Sequence, residues 1–317
     1  MFDSQGEFLI TGVFQGKRIS EFLLGKFKNI NRFSLQNAFH KQFIRVNNHP
    51  VDLSYLLIEG DIIQWDLTSL RKPEIFPEEI PLDIVFECND FLVLNKPSGM
   101  ACHPGLGIYK GTLLHALKYY YQKTNQAEVL QNGLIHRLDK KTSGLILVAK
   151  TKEALLFYTD ELKNARIERI YLAGTQQKPQ LSEDWIDLPV GRDKINPHEI
   201  KVLPIEEGGK SAQTFYRTIE SGKNVTWLLC KLVQGRTHQI RIHLKSIGCP
   251  IIGDDRYGTA SLDEPLMLSA IYLSFRDMNN LAKTWAFELI QLFDLEEIDL
   301  KSALQEFLHI QVEKNNE

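Results

Sequence analysis

The chain of 317 residues is 43% hydrophobic and 24% charged with a formal net charge of −3, which excludes a disordered or low-complexity protein and leaves room for two unequal domains. No apolar run approaches the roughly 20 residues that span a bilayer, and the opening MFDSQGEFLI has no basic segment followed by a long apolar one, so a cytoplasmic protein without membrane attachment is expected. Cys88, Cys102, Cys230 and Cys249 are far apart and form no CxxC pair, which argues against a disulfide framework or a zinc knuckle.

The helical spacing of Ile19, Phe22, Leu23 and Phe27 predicts a helix over 16–28, and Ser34 is placed to cap a second helix whose apolar face is Leu35, Ala38, Phe39 and Phe43. IRVNNHPV (44–51) then reads as two short strands around an Asn47-Asn48 turn, and GDIIQW (60–65) as a third. These elements make a small ααβ domain over 1–70. The segment RKPEIFPEEIPLD (71–83), with three prolines and no apolar period, reads as a linker.

Beyond it, 84–99 holds two strand candidates split by Asn89-Asp90, and 110–122 is predicted helical. LILVA (145–149), IYLAGT (170–175), QTFYRTI (213–219), TWLLCKLV (226–233) and IYLSF (271–275) are further strands. Without a regular βαβ alternation, this pattern predicts an α+β domain over 84–317, with a mixed, largely antiparallel central sheet and flanking helices.

Charge is unevenly distributed. Residues 130–170 carry eight Lys or Arg against five acids and 231–258 five against two, whereas 284–317 carry eight acids against two Lys. A polyanion responds to the nearby field rather than to the total, so the small negative sum does not exclude one.

Two stretches stand out chemically. IHRLDKKTSG (135–144) places one carboxylate, Asp139, beside Arg137, Lys140 and Lys141 and between apolar flanks. Neighbouring cations favour the ionised form, which suits a nucleophile or proton acceptor better than a general acid. Taken alone, it equally describes a surface turn with weak ion pairs. GRTHQIRIHLKSIGCPIIGDDRYG (235–258) predicts a helix capped by Thr237, with His238, Arg241 and Lys245 on a basic face and Gly248 and Pro250 at its end. His238 and His243 are five apart, unlike the two histidines of an HExxH metal site. Two shorter pieces are less specific: Tyr171 lies in a strand-like run beside Arg169, and Lys96 and His103 lie in the turn-rich NKPSGMACHPG (95–105), where loop decoration is the default reading.

Taken in order, LNKPSGMACHPG, GLIHRLDKKTSGLILVAK, ERIYLAG, KSAQTFYRTI, GRTHQIRIHLKSIGCPIIGDDRYG and LMLSAIYLSF resemble the successive signatures of the RluA family of pseudouridine synthases, over residues 84–276. Residues 16–66 resemble, more loosely, the alpha-L RNA-binding module found in ribosomal protein S-four. The first resemblance implies the pseudouridine synthase fold and isomerisation of a uridine in ribosomal or transfer RNA, with no cofactor and no metal. It also implies that Asp139 is the catalytic carboxylate, by direct attack or proton abstraction. Tyr171 is then the tyrosine that stacks on the uracil and a candidate for proton transfer, and Arg241 the arginine paired with the aspartate. Arg137 fills the space left by the extruded base, Leu268 packs beneath the base, and His136, Thr142 and His238 are further substrate-binding positions. RNA is the implied partner, with a monomer and no obligate protein partner expected.

Ser269 replaces the usual histidine of the LxLHAxxL motif, Asp277-Met278 replaces a His-Pro pair, and Asn47-Asn48 stands where the module usually has Asn-Gly. These departures leave open a non-catalytic RNA-binding or ribosome-assembly factor that retains the fold. A glycosidase would require a second carboxylate near Asp139, and none stands out in the adjacent sequence.

Overall fold

The computed structural model describes residues 5–27, 32–67, 75–105, 108–124, 133–193, 196, 199–222, 224–258, 265–290 and 299–314. It divides into two compact units, Met1–Ile75 and Phe76–Glu317, and the division falls inside the stretch 71–83. Residues 71–74 of that stretch lie outside the described residues, and 75–83 form neither helix nor strand.

In the first unit, helices α1 (Ile19–Lys26) and α2 (Arg32–His40) accompany four strands, β1 Gln5–Leu9, β2 Ile44–Val46, β3 His49–Pro50 and β4 Ile62–Asp66, which form a sheet in the order β1-β4-β2-β3. Helix α2 begins at Arg32, so Ser34 lies in its first turn and does not cap it. The Asn47-Asn48 turn has φ of 52° and 67°, the left-handed pair that asparagine tolerates in a two-residue hairpin. Buried Asp61 ties the sheet to the preceding loop. Its carboxylate accepts hydrogen bonds from Asn47 Nδ2 at 2.9 Å, the Ile58 N–H at 2.9 Å and the Tyr55 hydroxyl at 3.1 Å. Ile19, Leu23, Leu35, Ala38, Ile44 and Ile63 form the core.

The strands of the second unit's main sheet are β5 Ile84–Glu87, β6 Phe91–Lys96, β7 Ser143–Ala149, β8 Glu168–Thr175, β9 Glu183–Asp187, β12 Gln213–Ser221, β13 Thr226–Leu232, β14 Leu268–Arg276 and β15 Thr284–Glu288. They are ordered β5-β6-β7-β14-β8-β13-β12-β9, with β15 also paired to β14. Every pairing is antiparallel except β14 with β7, so the mixed, largely antiparallel α+β expectation holds. A separate hairpin joins β10 (Val190–Arg192) to β11 (Ile200–Val202), and the helices are α3 Leu113–Lys123, α4 Lys152–Lys163, α5 Gln239–Ser246 and α6 Leu300–Lys314.

The central strands β7, β8 and β14 are buried along nearly their whole length, because side chains pack on both faces of the sheet, and for that reason they read as continuous apolar runs. On one face, Ile170, Leu172, Phe215, Leu229 and Ile271 pack with Leu300, Leu304 and Phe307 of α6. The single parallel contact sets the position of the loop that carries Asp139. It pairs Ser143 and Gly144 with Ser269 and Ala270, and Ala270 in turn pairs with Tyr171. The loop that precedes β7 is thereby delivered beside the β8 tyrosine. A Cβ at Gly144 would fall 2.2 Å from the Ala270 carbonyl oxygen, and its φ is +110°, so only glycine permits this approach.

Candidate active site

The loop bearing Asp139 is fastened at both ends and in the middle. The Ile135 N–H bonds to Leu147 O at 3.1 Å and the Thr142 N–H to Asp139 O at 3.2 Å, which closes the turn back into β7. The buried Cys102 thiol donates to Leu138 O at 3.3 Å and its sulfur receives the Leu138 N–H at 3.4 Å. Lys96 is fully buried, and its ammonium donates to the carbonyls of Pro97 and Met100, both at 2.8 Å, and of Lys140 at 3.4 Å. Burial pulls Lys96 down to about 8, against the opposing charge of Asp139. Lys96 is therefore a clamp on the Asp139 loop rather than loop decoration.

The other wall comes from α5 and the GDDRYG segment after it. Thr237 does not cap α5; the cap position is His238, in a left-handed conformation with φ of 58°. The Gln239 side chain instead receives the Arg236 N–H at 2.9 Å. Arg241 is gripped by Asp254 through two hydrogen bonds, Nε to Oδ2 at 2.8 Å and Nη2 to Oδ1 at 2.7 Å. Its free edge stands 3.7 Å from Asp139 Oδ2, and Asp255 lies 3.6 Å away. Burial opposes the ionisation of Asp254, but the bonds from Arg241 and from the Tyr257 and Arg256 N–H groups outweigh it and hold the carboxyl below its ordinary value. The guanidinium also lies over the Tyr257 ring, 5.1 Å from its centroid.

His238 Nε2 is 3.9 Å from Asp139 Oδ2. Its Nδ1 is 2.7 Å from the Tyr257 hydroxyl, which donates to Ile200 O at 3.1 Å. Nδ1 and the Tyr257 hydroxyl thus hold the ring in place, and Nε2 is the nitrogen turned toward Asp139. Burial lowers His238 to about 4, so the ring is neutral at pH 7.

Asp139, Arg137, Thr142, Tyr171, His238, Arg241 and Leu268 all line one cleft, and Arg169, Gly235 and Arg236 line it as well. Arg137 and Arg236 are exposed, whereas Tyr171 and Leu268 are buried. Burial raises the Tyr171 hydroxyl above its ordinary value, so the phenol keeps its proton at neutral pH. His136 is not among the residues that line the cleft. Its ring turns into the core, where Nε2 accepts the Leu147 N–H at 3.1 Å, and burial, helped by Arg169, lowers it to about 3. Ser269, where the family pattern has histidine, is fully buried and accepts from Ser143 Oγ at 3.1 Å.

Comparison with known proteins agrees with this geometry. Residues 90–246 match the RNA pseudouridylate synthase family. The chain is 42% identical over 249 residues to ribosomal large subunit pseudouridine synthase D of Nitrosomonas europaea, covering 78% of this chain and 71% of that one. It is 33% identical over 260 residues to the protein of the same name from Zymomonas mobilis, covering 81% of each. Among solved structures, human RNA pseudouridylate synthase domain containing 1 superposes with a TM-score of 0.54 at 26% identity, covering 72% of this chain and 96% of that one. The matched segment carries the clamped aspartate loop, the β8 tyrosine and the whole of α5, and the chain belongs to the RNA pseudouridylate synthase family, RluA branch, whose members isomerise uridine to pseudouridine in RNA.

Proposed function

We propose that this enzyme isomerises a uridine in large-subunit ribosomal RNA by an Asp139-dependent route. The observation that carries the mechanism is the aim of Arg241: Asp254 fixes its guanidinium so that the free edge faces Asp139 at 3.7 Å, in the cleft that Tyr171 also lines. A carboxylate held beside a preoriented cation needs little reorganisation as charge develops on the sugar. It acts there on the ribose, by attack at C1′ or by removal of a C2′ proton.

A uridine stacked in folded RNA has to be extruded, at a cost of a few kcal/mol that protein contacts must offset. Arg137, exposed at the mouth, is the group that occupies the vacated stack, where a planar cation can stack and bind phosphate together. Arg236 and Lys140, both exposed beside the mouth, take RNA backbone. Tyr171 stacks on the extruded uracil and Leu268 packs against it. The amino-terminal unit, with its two helices and small antiparallel sheet, acts as an S-four-like RNA-holding module. Ribosomal RNA is favoured as substrate by the two synthase D relatives at 33% and 42% identity, which are named for the large ribosomal subunit.

The test is a pseudouridine map of total RNA from a deletion strain and its parent, followed by addition of purified protein to the deletion-strain RNA. One or more large-subunit sites are expected to disappear on deletion and to return with wild-type protein but not with Asp139→Asn. Sites that persist after deletion, or turnover by Asp139→Asn, would refute the reading.

A further inference from the structure

Among the described residues two guanidiniums are buried, Arg241 and Arg169. Arg241 has the Asp254 carboxylate. Arg169, only 5% exposed, makes no ion pair and no hydrogen bond among the described residues, and its Nε is sealed from solvent without a partner. The neighbouring acid is not available to it, because Glu168 is engaged by Lys231 at 2.5 Å. Leaving a charged, hydrogen-bonding group buried and unpaired costs several kcal/mol. A protein retains such a group where a ligand completes it.

The surroundings say which ligand. β8 alternates, so Ile170 and Leu172 enter the core beside α6 while Arg169 and Tyr171 share the opposite face and line the cleft together. Arg169 is more deeply buried than Asp139, whose side chain is 17% exposed. A phosphate of the substrate stays tied to the RNA backbone at the mouth, where Arg137 and Arg236 are exposed. What reaches the floor is the far edge of the base, and the atom of uracil farthest from the ribose is O4, opposite the N1 that bears the sugar.

We infer that Arg169 is the group that binds the uracil O4 carbonyl, rejecting cytosine and carrying charge on the detached base. The inference rests on the isomerase reading of this cleft and adds the base-recognising residue to it. Arg has donors only, so it accepts a carbonyl at position 4 and leaves a buried donor facing a donor when an amino group stands there. The same contact stabilises the reaction. When the N1–C1′ bond breaks, its electron pair leaves with the base and spreads onto O2 and O4, where the guanidinium meets it. The base turns, a pair at C5 forms the C5–C1′ bond, the C5 proton passes to water and N1 takes a proton from water. Atoms and electrons are conserved.

The experiment measures single-turnover conversion of ribosomal RNA from the deletion strain, at saturating enzyme, alongside RNA affinity by gel mobility shift. Arg169→Met is expected to slow conversion by about 100-fold or more, the scale for losing one preorganised donor, with affinity changed less than threefold. Gly235→Ala supplies an independent probe if Arg169→Met fails to fold. Its added methyl would stand 2.8 Å from Arg169 Nη1, pushing the guanidinium aside, and should slow conversion about tenfold. Replacing the mapped target by 4-thiouridine, a poor acceptor, should slow the wild type, and should slow Gly235→Ala and any folded Arg169→Met markedly less. A folded Arg169→Met within threefold of the wild-type rate overturns the inference, as do an unchanged Gly235→Ala rate or thio effects of equal size in wild type and variants. Turnover by wild type and its loss in Asp139→Asn on the same RNA report on the isomerase reading alone, so the two failures are distinguishable.

Discussion

Arg241 makes its two short hydrogen bonds to Asp254, at 2.8 and 2.7 Å, and stands 3.7 Å from Asp139. The buried acid holds the arginine, and the arginine faces the cleft acid. Asp254 is fully buried, so it acts through Arg241 as a positioning residue. Asp254→Asn should leave the buried Arg241 without its bidentate carboxylate, with only the more distant Asp139 and Asp255 as opposite charges, costing up to about 3–5 kcal/mol of stability. At a temperature where the variant is folded, kcat should fall about 100-fold with KM nearly unchanged. Urea unfolding and steady-state kinetics check both, and wild-type kcat in Asp254→Asn would remove this role. The depressed folded pKa of Asp254 contributes stability above the unfolded carboxyl value that is lost as pH falls through the folded one.

Tyr171 should separate stacking from proton chemistry. Tyr171→Phe keeps the ring, so RNA affinity should remain within threefold while isomerisation slows. Tyr171→Leu removes the stack, and about 1–3 kcal/mol of base binding should be lost with it. Equal affinities for the two variants would argue against stacking on this side chain.

Much of the site was legible because its chemistry is concentrated in contiguous motifs. Asp139, Arg137 and Thr142 share one loop, and Arg241 and His238 share one helix. What escaped was set by tertiary pairing. Asp254 lies within GDDRYG, yet nothing local says that it, and not Asp139, takes the bidentate bond from Arg241. Lys96 reads as a loop lysine because its three carbonyl partners come from three backbone positions, one of them 44 residues away. His136 lies beside the cleft residues in sequence, but its ring is buried and taken up by the Leu147 N–H. In the fold, α6 had a readable stripe in Leu300, Leu304 and Phe307, overshadowed by the acidic composition of the segment. Helix α4 had a cap in Thr151, whose Oγ1 accepts the Ala154 N–H at 3.1 Å. The short strands β1, β9, β10 and β11 carry no comparable signal, since their pairing partners lie far away in sequence or across a loop.

Strand β7 should be intolerant of change at Gly144. Gly144→Ala would place a methyl 2.2 Å from the Ala270 oxygen at a φ of +110°, so β7 must separate from β14. The conformational strain alone costs on the order of 1–3 kcal/mol, and the clash adds to it. The urea midpoint should drop accordingly, and activity should fall further than stability alone explains because the Asp139 loop shifts from Tyr171. A midpoint equal to wild type would mean that this parallel contact is not what seats the loop.

His136 and His238 together predict acid sensitivity. Both are held neutral by burial, at about 3 and about 4 in the folded protein against 6.5 ordinarily. Between pH 6.5 and about 4 the unfolded chain takes up protons that the folded chain refuses, so stability falls as pH drops through that window. His136 can be tested by itself, because a glutamine carbonyl can accept the Leu147 N–H in place of Nε2 without titrating. His136→Gln should therefore match wild type near pH 7 more closely than any apolar substitution does, and should lose less stability between pH 6.5 and 4.5. Urea unfolding at several pH values in that window measures the difference. Parallel pH profiles for the two proteins would show that the buried imidazole is not the group being protonated on unfolding.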